Sequence, residues 1–273
     1  MSLSDAGPGW LFCPADRPER FAKAAAAADV VILDLEDGVA PADKDAARRA
    51  LRETPLDPDR TVVRVNATET GELARDLDAL AGTAYTTVML SKTESAHQVR
   101  ALAPLDVIAL IETPRGAVFV TEIAATENTV ALMWGAEDLV ATLGGSSSRR
   151  ADGTYRDFAR HVRSATLLSA SAFDRVALDA VHLNIHDIEG LRAEADDAVA
   201  VGFDGTVCIH PTQIPVVREA YRPSQENVDW ARRVVEAAKT ERGVFAFEGQ
   251  MVDSPVLKHA ATMLRRAGAA DSG

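Results

Sequence analysis

Val107-Ile108-Ala109-Leu110-Ile111-Glu112-Thr113 and Val130-Ala131-Leu132-Met133-Trp134-Gly135-Ala136-Glu137-Asp138 decide how this chain folds. Each is an almost unbroken apolar run that closes on an acid. A strand with no polar alternation has no wet face, so it belongs in a parallel sheet covered by helices. An acid at its C-terminal end sets negative charge on the rim of an apolar core. That placement costs free energy unless a cation or hydrogen bonds compensate it. The pattern recurs in Val30-Val31-Ile32-Leu33-Asp34-Leu35-Glu36-Asp37, and Val62-Val63-Arg64-Val65-Asn66 ends in Arg and Asn. Acids and one Arg at several strand ends point to a single site for a hard divalent cation and an anionic substrate.

Working outward, eight such runs appear: 10–14, 30–35, 61–65, 86–90, 107–112, 130–134, 180–185 and 206–209. Ala-rich amphipathic stretches separate them. Pro41 and Asp43 open one predicted helix to Glu53, and Gly82 closes another that runs from Glu69 to Leu80. Helices are also predicted over 94–102, 116–125, 187–201 and 213–221. Eight βα units favour a (β/α)8 TIM barrel, and no Gly-x-Gly-x-x-Gly follows the first run, which weakens a dinucleotide-binding fold. The expected organisation is a barrel over 1–222 and a C-terminal helical extension over 223–273, packing on the barrel or on a neighbouring subunit.

The 273 residues carry a net charge of -12, a field that repels nucleic acid and anionic membranes. Only Cys13 and Cys208 are present, both inside apolar runs, as expected of buried thiols in a reducing cytoplasm. The first nine residues lack the basic-then-apolar pattern of a secretory signal, and no apolar run approaches the ~18 residues of a membrane span. The expectation is a soluble cytoplasmic protein.

In a barrel, side chains at the C-terminal strand ends share one pocket. Those ends offer Glu36, Asp37, Arg64, Asn66, Lys92, Glu112, Glu137, Asp138, Asn184 and His210. Mg2+ takes hard oxygens, usually one or two carboxylates plus waters and ligand, and Glu112 and Asp138 suit that role. Glu36 and Asp37 are the next candidates, for metal waters or for substrate. A zinc site is disfavoured, because His182 and His186 lie across a strand end and a loop. Arg64 could clamp a carboxylate at two points, or form a structural ion pair with Glu36 or Asp37. The Gly/Ser-rich loop 143–153 carries Arg149 and Arg150, which read equally as phosphate ligands or as a solvated loop. A cation and an Arg facing a 2-oxo acid would polarise its carbonyl and stabilise an enolate, which suits carbon–carbon bond chemistry. Asp253 is a candidate acid/base, although Asp253-Ser254-Pro255 alone reads better as a helix cap.

Several segments together resemble the citrate lyase β-subunit (CitE-like) branch of the HpcH/HpaI aldolase superfamily. They are Leu11-Phe12-Cys13-Pro14, Leu33-Asp34-Leu35-Glu36-Asp37-Gly38-Val39, Lys44 with Arg48, Val63-Arg64-Val65-Asn66, Ile111-Glu112-Thr113, Gly135-Ala136-Glu137-Asp138-Leu139, Ile209-His210-Pro211-Thr212-Gln213-Ile214 and Gly249-Gln250-Met251-Val252-Asp253-Ser254-Pro255. They span nearly the whole chain. The resemblance implies a Mg2+-dependent barrel, usually a homotrimer, acting on acyl-CoA thioesters. It puts the metal on Glu112 and Asp138, the substrate arginine on Arg64, and a catalytic acid on Asp253, delivered to a neighbouring subunit's site. Glu36, Asp37, Gly135, Ala136 and Glu137 become candidates for substrate contact. Ser91-Lys92 stands where the family often has Pro-Lys, and Asn184 where many relatives carry an acid. The implied activity is lysis of a citryl-, citramalyl- or malyl-CoA-like thioester to acetyl-CoA and a 2-oxo acid. The alternatives are a malate-synthase-like condensing enzyme with thioesterase activity, and a citrate lyase β subunit that needs partner subunits.

Overall fold

Eight parallel strands close on themselves in chain order in a computed structural model that describes residues 6–241 and 243–271. The first five residues, part of the segment read for a signal, lie outside the described residues. The strands are β1 (Gly9–Pro14), β2 (Val30–Asp34), β3 (Thr61–Val65), β4 (Thr87–Leu90), β5 (Asp106–Ile111), β6 (Thr129–Trp134), β7 (Val176–Asp179) and β8 (Gly205–Cys208). Closure comes from β8 pairing with β1, Gly9 opposite Thr206 and Leu11 opposite Cys208. The expected TIM barrel is therefore formed.

The nearly continuous apolar runs follow from this closure. Alternate residues face opposite sides of a strand. One set, from all eight strands, forms a single core that includes Trp10, Ile32, Met89, Leu110, Met133 and Leu178. The other set, including Val31, Leu33 and Ile111, is buried just as fully, so neither face of the sheet is wet. Burial raises the Cys13 thiol to about 11 and the Cys208 thiol to about 12, which keeps both protonated. Among the described residues no helix is long and apolar enough to cross a membrane.

The seventh strand corrects the sequence expectation. It is Val176–Asp179, and 180–185 is irregular, with Leu183 exposed. Two short apolar runs stand side by side here, and composition alone does not rank them. Pairing does, because Ala131, Leu132 and Met133 of β6 meet Val176, Ala177 and Leu178. Asn184 therefore sits in a loop, not at a strand end. The helix Asp157–Ala172, absent from the sequence expectation, covers β6 and β7. The predicted helix over 116–125 is two short ones, Pro114–Val118 and Val120–Ala124.

The chain divides into two compact units, up to Val217 and from Arg218 onward. The second unit holds helix Gln225–Ala237, a hairpin of β9 (Phe245–Phe247) and β10 (Gln250–Val252), and helix Ser254–Asp271. Glu248 and Gly249 turn the hairpin with φ of 48° and 81°, as a two-residue loop between twisted strands requires. Val252 is buried with Ala231, Val234 and Ala260 in a small core of its own.

Candidate active site

The barrel places the C-terminal ends of β2 to β6 side by side, and their acids meet two cations there. Arg64, on β3, forms a two-point fork with Asp34 at the end of β2: Nε donates to Oδ1 at 2.7 Å and Nη2 to Oδ2 at 2.6 Å. Its third nitrogen lies 3.2 Å from Glu36. The guanidinium also rests 4.5 Å over the ring of Phe12. Burial alone would lower the pKa of Arg64, but the Asp34 charge outweighs it and keeps the group cationic. Asp34 takes further bonds from the amides of Glu36 and Gly38, both at 2.8 Å. A Cβ on Gly38 would meet an Asp34 oxygen at 2.2 Å, so any larger residue there would push the Asp34 carboxylate out of its fork. Of the two pairings the sequence allowed for Arg64, the one with Glu36 is present.

Lys92 follows β4 with φ +51° and serves the acids from both ends. Its amide donates to Glu112 Oε1 at 2.9 Å. Its ammonium pairs with Glu36, with Asp37 at 3.2 Å and with Asp138 at 3.6 Å. Burial raises the pKa of Glu36 despite Arg64 and Lys92. Burial would also raise that of Asp37, but the Lys92 charge outweighs it and the net direction is down.

Glu112 is buried just past β5, with 3% of its surface exposed. Burial first, and the neighbouring Asp138 charge second, push its carboxyl up to about 8. A buried acid beside a second acid is a pair short of positive charge. Gly135, whose amide bonds Ile111 O at 3.0 Å, lets β6 approach this close: a Cβ there would stand 3.0 Å from Glu112 Cβ. Ala136 and Asp138 lie in the first turn of helix Ala136–Thr142. Among the described residues no group of three His, Cys, Asp or Glu side chains is arranged to hold a metal ion. Two hard carboxylates nevertheless fit Mg2+, which completes its shell with waters and ligand oxygens.

Other candidates fall elsewhere. Glu137 accepts from Ser148 Oγ at 2.7 Å and so ties down the loop after β6. Asn66 is buried in a scaffold network, holding Lys44 at 2.9 Å and Asp76 at 2.7 Å. Arg149 pairs with Glu194 and stacks 3.9 Å over Tyr155, while Arg150 reaches Asp157 at 3.1 Å. Both arginines therefore have carboxylate partners within the protein. His182 is held by Glu194 at 2.9 Å and Asp187 at 3.2 Å, and His210 caps the turn at Thr212. In the second unit, Asp253 Oδ1 accepts from the Val256 amide at 3.3 Å, the helix cap its sequence suggested. Sequence reasoning missed Asp34 as a site residue; its signal was an acid embedded in an otherwise apolar strand.

The model of HpcH/HpaI aldolase/citrate lyase matches residues 9–211. The chain belongs to that family. A second model, a C–C bond lyase of the TIM-barrel fold, matches 154–270. A citrate lyase subunit beta-like protein of Mycobacterium tuberculosis is 76% identical over 272 residues, covering 100% of both chains. Human mitochondrial citramalyl-CoA lyase is 32% identical, over 85% of this chain and 76% of its own. The crystal structure of M. tuberculosis CitE with magnesium, acetoacetate and coenzyme A superposes with a TM-score of 0.92 at 77% identity, covering 97% of this chain and 100% of the other.

Proposed function

We propose that this family member is a Mg2+-dependent β-hydroxyacyl-CoA lyase that cleaves a citryl-, citramalyl- or malyl-CoA-like thioester to acetyl-CoA and a 2-oxo acid. The observation that carries the reading is the acid pair Glu112 and Asp138 beside the Arg64–Asp34 fork. The ligands of the M. tuberculosis relative, magnesium, an oxo acid and coenzyme A, support it.

In this reading Glu112 and Asp138 hold Mg2+, which supplies Lewis acidity at the oxo-acid oxygens. Arg64 donates to the oxygen that gains negative charge as the carbon–carbon bond breaks. Asp34, by fixing both ends of the fork, removes the reorientation that a free arginine would need at that moment. Glu36 and Asp37 hold Lys92 beside the same acids, where substrate polar groups would meet them. Gly135 and Ala136 would supply backbone beside Glu112 at the start of the helix that carries Asp138, and Glu137 would act through the loop that it tethers. Asp253 would take up the proton that the substrate hydroxyl loses as its carbonyl forms, and return it to the carbon of the acetyl-CoA enolate. The reading includes a homotrimer in which the second unit serves a neighbouring subunit, and a cytoplasmic setting that suits two buried thiols.

Purified protein with Mg2+ and a panel of citramalyl-, malyl-, citryl- and 3-hydroxy-3-methylglutaryl-CoA tests this, with CoA products followed by mass spectrometry. Metal-dependent release of acetyl-CoA is expected. Silence across the panel, with condensation of acetyl-CoA and glyoxylate instead, would overturn lysis in favour of the condensing activity. Silence in both directions would favour a subunit that needs partners.

A further inference from the structure

Lys92 reaches different carboxylates with its two ends. Its left-handed backbone, φ +51°, is one that a residue with a side chain adopts at a cost. That conformation aims its N–H at Glu112 Oε1, 2.9 Å away. The chain then carries Nζ to Glu36, to Asp37 and, at 3.6 Å, to Asp138.

We propose that Lys92 is a positioning residue that sets how tightly the Glu112–Asp138 pair holds its divalent cation. The amide orients Glu112, and the ammonium shares the negative charge of Asp138, so the pair holds a second cation more weakly. The inference rests on the assignment of those two acids as Mg2+ ligands. The Lys92 ammonium donates to Glu36 and stands among three carboxylates, Glu36, Asp37 and Asp138. Asp138 and Lys92 are each about one-third exposed, which moderates their attraction without cancelling it. A cation held by one full carboxylate and one shared carboxylate is completed by oxygens of the substrate. Cation and oxo acid then bind as a pair, and the cation is not locked in when product leaves.

Calorimetric titration of MgCl2 into metal-stripped full-length protein tests this directly, without reference to turnover. Lys92→Met removes the charge and keeps the chain length. Lys92→Gly removes it while accepting the left-handed backbone and retaining the N–H to Glu112. Both are expected to tighten Mg2+ binding about tenfold, as removal of a like charge at this range should. Lys92→Arg, which keeps the charge, should stay near wild type. Unchanged or weaker Mg2+ binding in both uncharged variants overturns the inference. Glu112→Gln and Asp138→Asn identify the site: Mg2+ binding that survives in both refutes the ligand assignment itself. Loss in both, without tightening at Lys92, refutes only the role of Lys92.

Discussion

Asp34 and Arg64 face each other across β2 and β3 with two parallel hydrogen bonds, 2.7 and 2.6 Å long. Their Cα positions are paired in the ladder, so the fork is set by strand register rather than by a loop. Both side chains are buried, Asp34 with 3% and Arg64 with 12% of its surface exposed. Asp34→Asn keeps the shape and removes the charge, leaving a buried guanidinium half-paired. The expected result is destabilisation of about 3 kcal/mol, the usual scale for breaking a buried pair. Arg64→Lys supplies charge without the fork and should lower kcat at least ~100-fold, the scale of one lost oxyanion donor. Denaturant melts and steady-state kinetics would check the two. Near-wild-type kcat in Arg64→Lys would remove Arg64 from the chemistry.

The sequence carried most of this rim because a barrel turns every strand end into a site position. Apolar runs such as 107–111 could be read directly, and the acids at or just beyond several of them marked the site. β7 could not be read the same way. It is four residues long, it adjoins a second apolar run, and only its pairing with β6 selects between them. Glu137 is the complementary case: it neighbours Asp138 in sequence, but one residue along a helix is about 100° of rotation, which carries it to Ser148. Asp34 was hidden because the apolar run reads on to Leu35, so an acid at the last position of β2 looks like part of the strand until its partner on β3 is known.

Glu112 ties metal affinity to pH. Its carboxyl, raised to about 8 by burial and by Asp138, must ionise to bind a cation. Below pH 8, Mg2+ binding is expected to release a proton and to weaken by up to about tenfold per pH unit. In metal-free protein the sign is that of a raised acid. Its contribution to stability is fully present below the unfolded value and is lost as pH rises through 8. Glu112→Gln should therefore raise the Tm of metal-free protein at pH 8.5 and abolish Mg2+ binding. A variant no more stable than wild type at that pH would contradict the burial argument.

His182 gives a second pH dependence, of independent origin. The Glu194 bond raises its pKa, and Asp187 faces its other nitrogen. Arg149, on the far side of Glu194, opposes protonation. For a base with a raised folded pKa, stability is fully present below about 6.5 and is lost as pH rises through the higher folded value. His182→Gln should flatten stability against pH in that window by about 2 kcal/mol, the scale of a hydrogen bond to a charged partner. Urea midpoints at closely spaced pH values would show it, and an identical slope in wild type and variant would exclude His182 as its source.

Gly135 tests the closeness of β5 and β6 at the site. A Cβ there stands 3.0 Å from Glu112 Cβ and 3.1 Å from Glu112 Oε2. The backbone at Gly135 is extended, φ -129°, so alanine brings no conformational strain, only that contact. Gly135→Ala should leave the fold intact and move the Glu112 carboxylate by a few tenths of an ångström. Mg2+ affinity should fall, with little change in Tm. Unaltered Mg2+ titrations would show that Glu112 has room to spare.

Asp253 needs a variant that separates its two roles. It caps helix Ser254–Asp271 through the Val256 amide, a bond whose loss to alanine costs about 1 kcal/mol. Loss of activity in Asp253→Ala could therefore reflect a frayed helix as well as a missing acid. Asparagine caps as well as aspartate but cannot exchange a proton. Asp253→Asn is expected to melt like wild type, to bind Mg2+ and oxo acid normally, and to lose turnover. The cap and the acid then part cleanly: Asp253→Ala should lower Tm slightly and be just as inactive. Turnover that survives in either variant would mean the proton comes from another group, and would leave Asp253 with the structural role alone.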